Sequence, residues 1–227
     1  MKKVAVIVAG GSGSRMQSEI PKQFIILGDK PVLMHTVTRF HHYDPSIQII
    51  LVLPENQIGW WSALCLEHNF TIATTVVSGG KTRFQSVRNG LNAVDSNISD
   101  TFVAIHDGVR PFVSNEVLSR SFEEALIFDN SIACVGLKDS VRLVEGEVSI
   151  HVDRSLYRLI QTPQTFRFQL IRNFYQEEQA HFTDDASVAE FHGMKIHLTE
   201  GNYENIKITT PEDLLIGEAF LKAQQIY

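Results

Sequence analysis

The sequence predicts an α/β fold, a doubly wound and mostly parallel sheet, and two observations carry the prediction. Short unbroken apolar runs rich in β-branched residues recur along the chain, as strands buried on both faces require. Between them lie segments whose apolar residues repeat at helical spacing, the alternation expected of right-handed βαβ units. The first run, Val4-Ala5-Val6-Ile7-Val8, stops at glycines and reads as a central parallel strand. After Pro31, the residues Val32, Leu33, Val37 and Phe40 recur at helical spacing, with proline near the start where its missing N–H is harmless. Ile47 to Leu53 is a second buried strand, stopped by Pro54. Trp60 to Asn69 then reads as a helix, Ile72 to Val77 as a strand, and Thr82 to Val94 as a helix opening after Gly79-Gly80. Thr101 to Ile105 gives a fourth strand, followed by a helix over Asn115 to Phe128 and a strand over Ile132 to Leu137. Near the end, Thr210-Pro211-Glu212-Asp213 combines an N-cap, a proline at the first helical position and acids in the first turn.

From Ser140 to Val152 the pattern changes to alternating polar and apolar residues around Glu145-Gly146, the signature of a hairpin. A parallel sheet has no place for it, and a lone hairpin is only marginally stable. An arm at about residues 138–156 is therefore expected to pack on a second subunit, making a homodimer; the alternative is an arm folded back onto its own domain. The rest of residues 1–227 reads as a single domain. With 44% hydrophobic residues and a net charge of −6, the chain can bury a large core but has no general positive field for a nucleic-acid backbone. No apolar run is long enough for a membrane partner and no signal-peptide pattern opens the chain, so a cytoplasmic location is expected. Cys65 and Cys134 lack metal-ligand spacing and read as reduced thiols, and no histidine pair suggests a zinc site.

In open α/β sheets ligands bind beyond the carboxyl ends of the strands, so polar clusters that follow strands are the candidates. Three qualify: Gly10 to Lys22, His106 to Pro111, and Asn205-Ile206-Lys207. The first lacks the Gly-Lys-Ser/Thr of a Walker loop, and Met16 stands where a dinucleotide fingerprint needs its third glycine. What remains is a run of small residues, Ala9, Gly10, Gly11, Ser12 and Gly13, that lets a base and triphosphate approach backbone N–H groups, with the cations Arg15 and Lys22 beside it. Nucleotidyl transfer needs such an arrangement, because negative charge grows on the α-phosphate and the departing pyrophosphate. Asp107, at the end of a buried strand, is a candidate for magnesium or a ribose hydroxyl, or for capping the following turn. Arg110 reads as structural and His106 as support for its loop. Lys207, not needed for helix capping, is placed to hold a second substrate's phosphate.

Several motifs in order carry a resemblance. These are Ala9 to Met16 with Pro21-Lys22-Gln23-Phe24, Ser78-Gly79-Gly80 with Arg83 and Ser86, and His106 to Pro111. They continue with Val152-Asp153-Arg154, Gln161-Thr162-Pro163-Gln164, Thr183-Asp184-Asp185-Ala186-Ser187 and Asn205-Ile206-Lys207. Together they resemble the 2-C-methyl-D-erythritol 4-phosphate cytidylyltransferase family. The resemblance implies a Rossmann-like nucleotide-diphospho-sugar transferase fold and a magnesium-dependent homodimer whose protruding β-hairpin arms complete each other's sites. It further implies that CTP meets a polyol phosphate, that Arg15 and Lys22 stabilise the transition state, and that Gly80, Ser86 and the Ala9 to Gly13 backbone hold the nucleotide. Asp107 would lie between ribose and acceptor, while Arg154, Lys207, Ser140 and Thr183 would position the acceptor phosphate. Gly10, Lys81 and Ser140 depart from the usual pattern, which keeps the related ribitol 5-phosphate cytidylyltransferases as the alternative. A noncatalytic nucleotide-binding protein is the remote one.

Overall fold

One seven-stranded sheet organises the structure, a computed structural model that describes residues 1–10, 16, 19–95, 100–177 and 182–226. Strand β1 (Lys2–Val8) leads to a small ribbon of β2 (Ile26–Leu27) and β3 (Lys30–Pro31). Helix α1 (Val32–Tyr43), β4 (Gln48–Leu53), α2 (Glu55–Glu67), β5 (Thr75–Ser78), α3 (Arg83–Asn92) and β6 (Thr101–Asp107) follow in alternation. Next come α4 (Asn115–Phe128), β7 (Asn130–Gly136), and a hairpin of β8 (Val141–Glu145) and β9 (Val148–Val152). The chain closes with β10 (Arg158–Arg167), α5 (Phe168–Phe174), α6 (Asp185–Phe191), β11 (Leu198–Glu200) and α7 (Pro211–Ile226).

The sheet order is β11-β7-β10-β6-β1-β4-β5, parallel throughout except for β10, which runs antiparallel to both β6 and β7. The predicted doubly wound and mostly parallel sheet is therefore present. In β1, Ala5 and Ile7 join a core with residues of α1, α2 and α4, while Val4 and Val6 join a second core with α3, α5 and α6. Burial on both faces is the reason this strand reads as an unbroken apolar run. Each fully buried Val, Ile, Leu or Phe contributes on the order of 1.5–3 kcal/mol. Gly90 lets α3 lie close, since a Cβ there would come within 2.5 Å of Val6 Cγ1.

Some predicted boundaries move. Helix α2 starts at Glu55 rather than near Trp60, because Pro54, with φ −53°, both ends β4 and serves as the N-cap. Strand β5 begins at Thr75 rather than Ile72, and β6 continues through His106 and Asp107. Strand β10 has no counterpart in the sequence reading. Its middle, Gln161-Thr162-Pro163-Gln164, is polar and carries a proline, and the pairing with β7 shifts register between Ile160 and Gln164 to accommodate it. The hairpin turns at Gly146, with φ +60°, and its strands pair with each other alone among the described residues. Val144 and Val148 are 66% and 60% exposed, so the arm does not fold back as a packed layer on its own domain. No described helix is long and apolar enough to cross a membrane.

Candidate active site

The chain steps from β1 outward through β4 to β5, then returns to the other side of β1 with β6, so the strand order reverses between β1 and β6. Connections diverge at such a point and leave a crevice at the carboxyl ends. Here Ala9 N–H donates to Val52 O at 2.9 Å and Gly108 N–H to Val8 O at 2.9 Å, tying both strand ends together. A cleft of about 200 Å³ opens above them, lined by Ala9, Gly10, Lys22, Gly80, Ser86 and Lys81. An adjoining hollow of about 320 Å³ is lined by Gln161, Thr162 and Thr183. Arg83, Asp107 and Lys207 border both.

Asp107 is the electrostatic centre. Lys207 Nζ lies 3.0 Å from its Oδ2 and Arg110 Nε lies 3.2 Å from the same oxygen. Burial alone would favour the neutral acid, yet Lys207, Arg83 and Arg110 together hold the carboxyl far below the usual carboxylate range. It is ionised at any physiological pH. Arg110 also donates to Asn205 O at 2.8 Å, and Ile208 N–H donates to Val109 O at 2.9 Å. These bonds fasten the segment carrying Lys207 to the loop after β6, which gives Arg110 the structural role expected of it.

His106, fully buried, reads as the clamp of that loop. Thr162 Oγ1 accepts from Asp107 N–H at 3.0 Å and lies 3.1 Å from His106 Nδ1, while His106 Nε2 lies 3.1 Å from Arg110 O. The assignment that satisfies every group has Nε2 donating to Arg110 O and Nδ1 accepting from the threonine hydroxyl. Burial pushes the imidazole down to about 4, so it stays neutral and keeps that pattern.

On the other side of the cleft, Lys22 opens a 3₁₀ turn over Lys22–Phe24. The buried Gln23 beside it donates from Nε2 to Ala9 O at 2.9 Å, and Phe24 packs against Trp60 with ring centroids 5.3 Å apart. Lys22 is thereby anchored to the end of β1 by its neighbours. Ser86 Oγ accepts from Gly80 N–H at 3.1 Å and donates to Thr82 O at 2.9 Å, bracing the Gly79-Gly80 loop. A Cβ at Gly80 would meet Gln85 Cβ at 2.3 Å, so the loop excludes side chains there.

The structure thus brings together Ala9, Gly10, Lys22, Gly80, Ser86, Asp107, Lys207 and Thr183. Gly11, Ser12, Gly13 and Arg15 lie outside the described residues. Arg154 and Ser140 are elsewhere within this chain: the Arg154 guanidinium donates to Lys138 O and lines a separate hollow beside Cys134 and Glu200, and Ser140 is exposed at the base of the arm. Sequence reasoning also missed the partner of Arg83. In Thr183-Asp184-Asp185-Ala186-Ser187 the first aspartate is the N-cap of α6, accepting from Ser187 N–H at 3.0 Å, a cap that sequence reasoning did not read. The second aspartate reaches across the molecule to Arg83, which no local rule signals.

Comparison with known proteins places the chain in a family. The sequence profile of the family described as 2-C-methyl-D-erythritol 4-phosphate cytidylyltransferase matches residues 3–223. A protein of that name from Bacteroides thetaiotaomicron is 50% identical over 222 residues, covering 97% of this chain and 100% of the relative. A namesake from Porphyromonas gingivalis is 45% identical over 223 residues, covering 97% of this chain and 98% of its own. The crystal structure of 4-diphosphocytidyl-2C-methyl-D-erythritol synthase from Anaerococcus prevotii superposes with a TM-score of 0.83 at 30% identity, covering 97% of this chain and 96% of that one. The chain belongs to the 2-C-methyl-D-erythritol 4-phosphate cytidylyltransferase family.

Proposed function

We propose that the protein transfers CMP from CTP to 2-C-methyl-D-erythritol 4-phosphate, releasing pyrophosphate. The observation that carries the reading is the pair of adjoining hollows at the β1/β6 reversal, one for a nucleotide and one for an acceptor, with Asp107 and Lys207 on their common wall. An acceptor phosphate oxygen attacks the α-phosphorus of CTP, and the bond from that phosphorus to the bridging oxygen of the β-phosphate breaks. With a second pKa of about 6, the acceptor phosphate is already an oxyanion and needs no base. This agrees with a His106 that is buried, neutral and committed to its loop.

Lys22 and Arg15 counter the charge that grows on the α-phosphate oxygens and the leaving pyrophosphate. Gly80 and Ser86, with the Ala9 to Gly13 backbone, recognise the cytosine and the phosphates. Lys207 and Thr183 grip the acceptor phosphate, joined by Arg154 of the partner subunit and by Ser140 at the root of its arm. The assembly is a homodimer of single-domain subunits working in the cytoplasm. Asp107 fits a magnesium ion: both cations engage its Oδ2, and this metal needs only one or two carboxylates when substrate phosphates supply the other oxygens. Magnesium held there would neutralise phosphate charge. The test measures pyrophosphate release from CTP and magnesium with each acceptor in turn. Release with 2-C-methyl-D-erythritol 4-phosphate is expected. Preference for ribitol 5-phosphate would replace the acceptor, and no release with any acceptor would leave a nucleotide-binding protein.

A further inference from the structure

Arg83 differs from the other cations of the cleft in how firmly it is held. It opens α3 directly after the N-cap Thr82, and its guanidinium pairs with Asp185 through two bonds, Nη1 to Oδ1 at 2.7 Å and Nη2 to Oδ2 at 2.6 Å. Asp185 is fully buried. Tyr175, 1% exposed, donates its hydroxyl to Oδ1 at 2.5 Å, and its ring stacks on Phe84 at 4.4 Å between centroids. A buried carboxylate is costly unless its oxygens are satisfied, and this one receives three donors. The expense is out of proportion to a surface arginine, which points to a demand for one fixed orientation of the guanidinium.

Five N–H groups belong to a guanidinium, and the two bonds to Asp185 leave three. The Arg83 side chain keeps 30% of its exposure and borders both the nucleotide cleft and the acceptor hollow. Burial works against its charge, but the adjacent Asp185 keeps it a cation. The bond made in the reaction joins an acceptor phosphate oxygen to the α-phosphorus, so the wall common to both hollows is where the two phosphates meet. Of the three residues on that wall, Asp107 repels anions, and Lys207, paired with Asp107, meets the acceptor phosphate as a point charge. Arg83 alone of the three presents a planar fork, the geometry that matches a phosphate.

We propose that Arg83 binds the acceptor's phosphate at this junction, with Asp185 and Tyr175 as the positioning residues that set the plane of its guanidinium. The proposal rests on the transfer reading above. Its test is steady-state kinetics of pyrophosphate release, with KM read separately for CTP and acceptor. Arg83→Lys keeps the charge but loses the fork, and is expected to raise the acceptor KM on the order of tenfold or more while leaving the CTP KM within about twofold. Tyr175→Phe keeps the stacked ring and is expected to raise the acceptor KM about threefold. In the Arg83→Lys background Tyr175→Phe should lose most of that effect, because the hydroxyl acts through the fork. A structural role alone would move both KM values together or add in the double variant. Either result, a CTP KM that rises more than the acceptor KM, or an acceptor KM unmoved by Arg83→Lys in a protein that is otherwise active, overturns the proposal. A wild-type protein silent with every acceptor overturns the transfer reading as well, and so separates the two failures. If another polyol phosphate is the preferred acceptor, the same comparison is read on that compound.

Discussion

The cleft and the arm are built on opposite principles. Around Asp107 nearly every polar group is spoken for: His106, Thr162, Arg110, Asn205 and Lys207 form one continuous set of hydrogen bonds and ion pairs. In the arm, β8 and β9 pair only with each other among the described residues, and Leu143, Val144, Val148 and Ile150 stand about half exposed or more. The difference teaches where each region's order comes from. The cluster around Asp107 is preorganised by its own chain, so these charges are in place before substrate arrives, as electrostatic stabilisation requires. The arm's apolar residues have little cover among the described residues, so its stability depends on what it packs against.

The largest effect should come from the cleft. Lys22→Ala is expected to lower kcat on the order of 10²–10³-fold with a much smaller change in CTP binding, since its charge acts chiefly as charge develops. Single-turnover rates beside a CTP titration check this; an unchanged kcat would remove Lys22 from the transition state.

The next concerns the clamp beneath the cleft. His106 falls from an ordinary value of 6.5 to about 4 in the folded protein, so the unfolded chain binds the proton more readily. Its contribution is fully present above pH 6.5 and is lost as pH falls toward 4, amounting to on the order of 3 kcal/mol. Urea unfolding across that range should show the loss, and His106→Gln, a neutral side chain at every pH, should flatten it. Parallel curves for the two proteins would contradict the assignment.

Smallest in size, yet most direct for the arm, is subunit mixing. Lys22→Ala and Arg154→Ala subunits, each inactive alone, should recover roughly a quarter of wild-type activity when refolded together, because half the dimers are mixed and one site in each is intact. No recovery means that Arg154 serves its own subunit or neither.

Much of this was legible beforehand for local reasons. Strands β1, β4 and β6 announced themselves because burial on both faces forces continuous apolar runs, and Thr210, Pro211 and Asp213 marked the start of α7 by capping rules. There Asp213 Oδ2 accepts from Thr209 and Thr210 N–H groups at 2.8 and 2.9 Å. Strand β10 was illegible because Gln161-Thr162-Pro163 breaks its pattern for the sake of the site, Thr162 holding His106 and Asp107.

By itself the sequence determined the layered α/β class, the buried parallel strands and the hairpin, since each is written in periodicity or turn chemistry. Only the tertiary structure decided that Lys207 and Arg110 share one oxygen of Asp107, and that Arg83 meets Asp185, 102 residues away. Charge pairing depends on distance in space, and no spacing along a chain encodes which distant carboxylate a folded sheet will bring to a given cation.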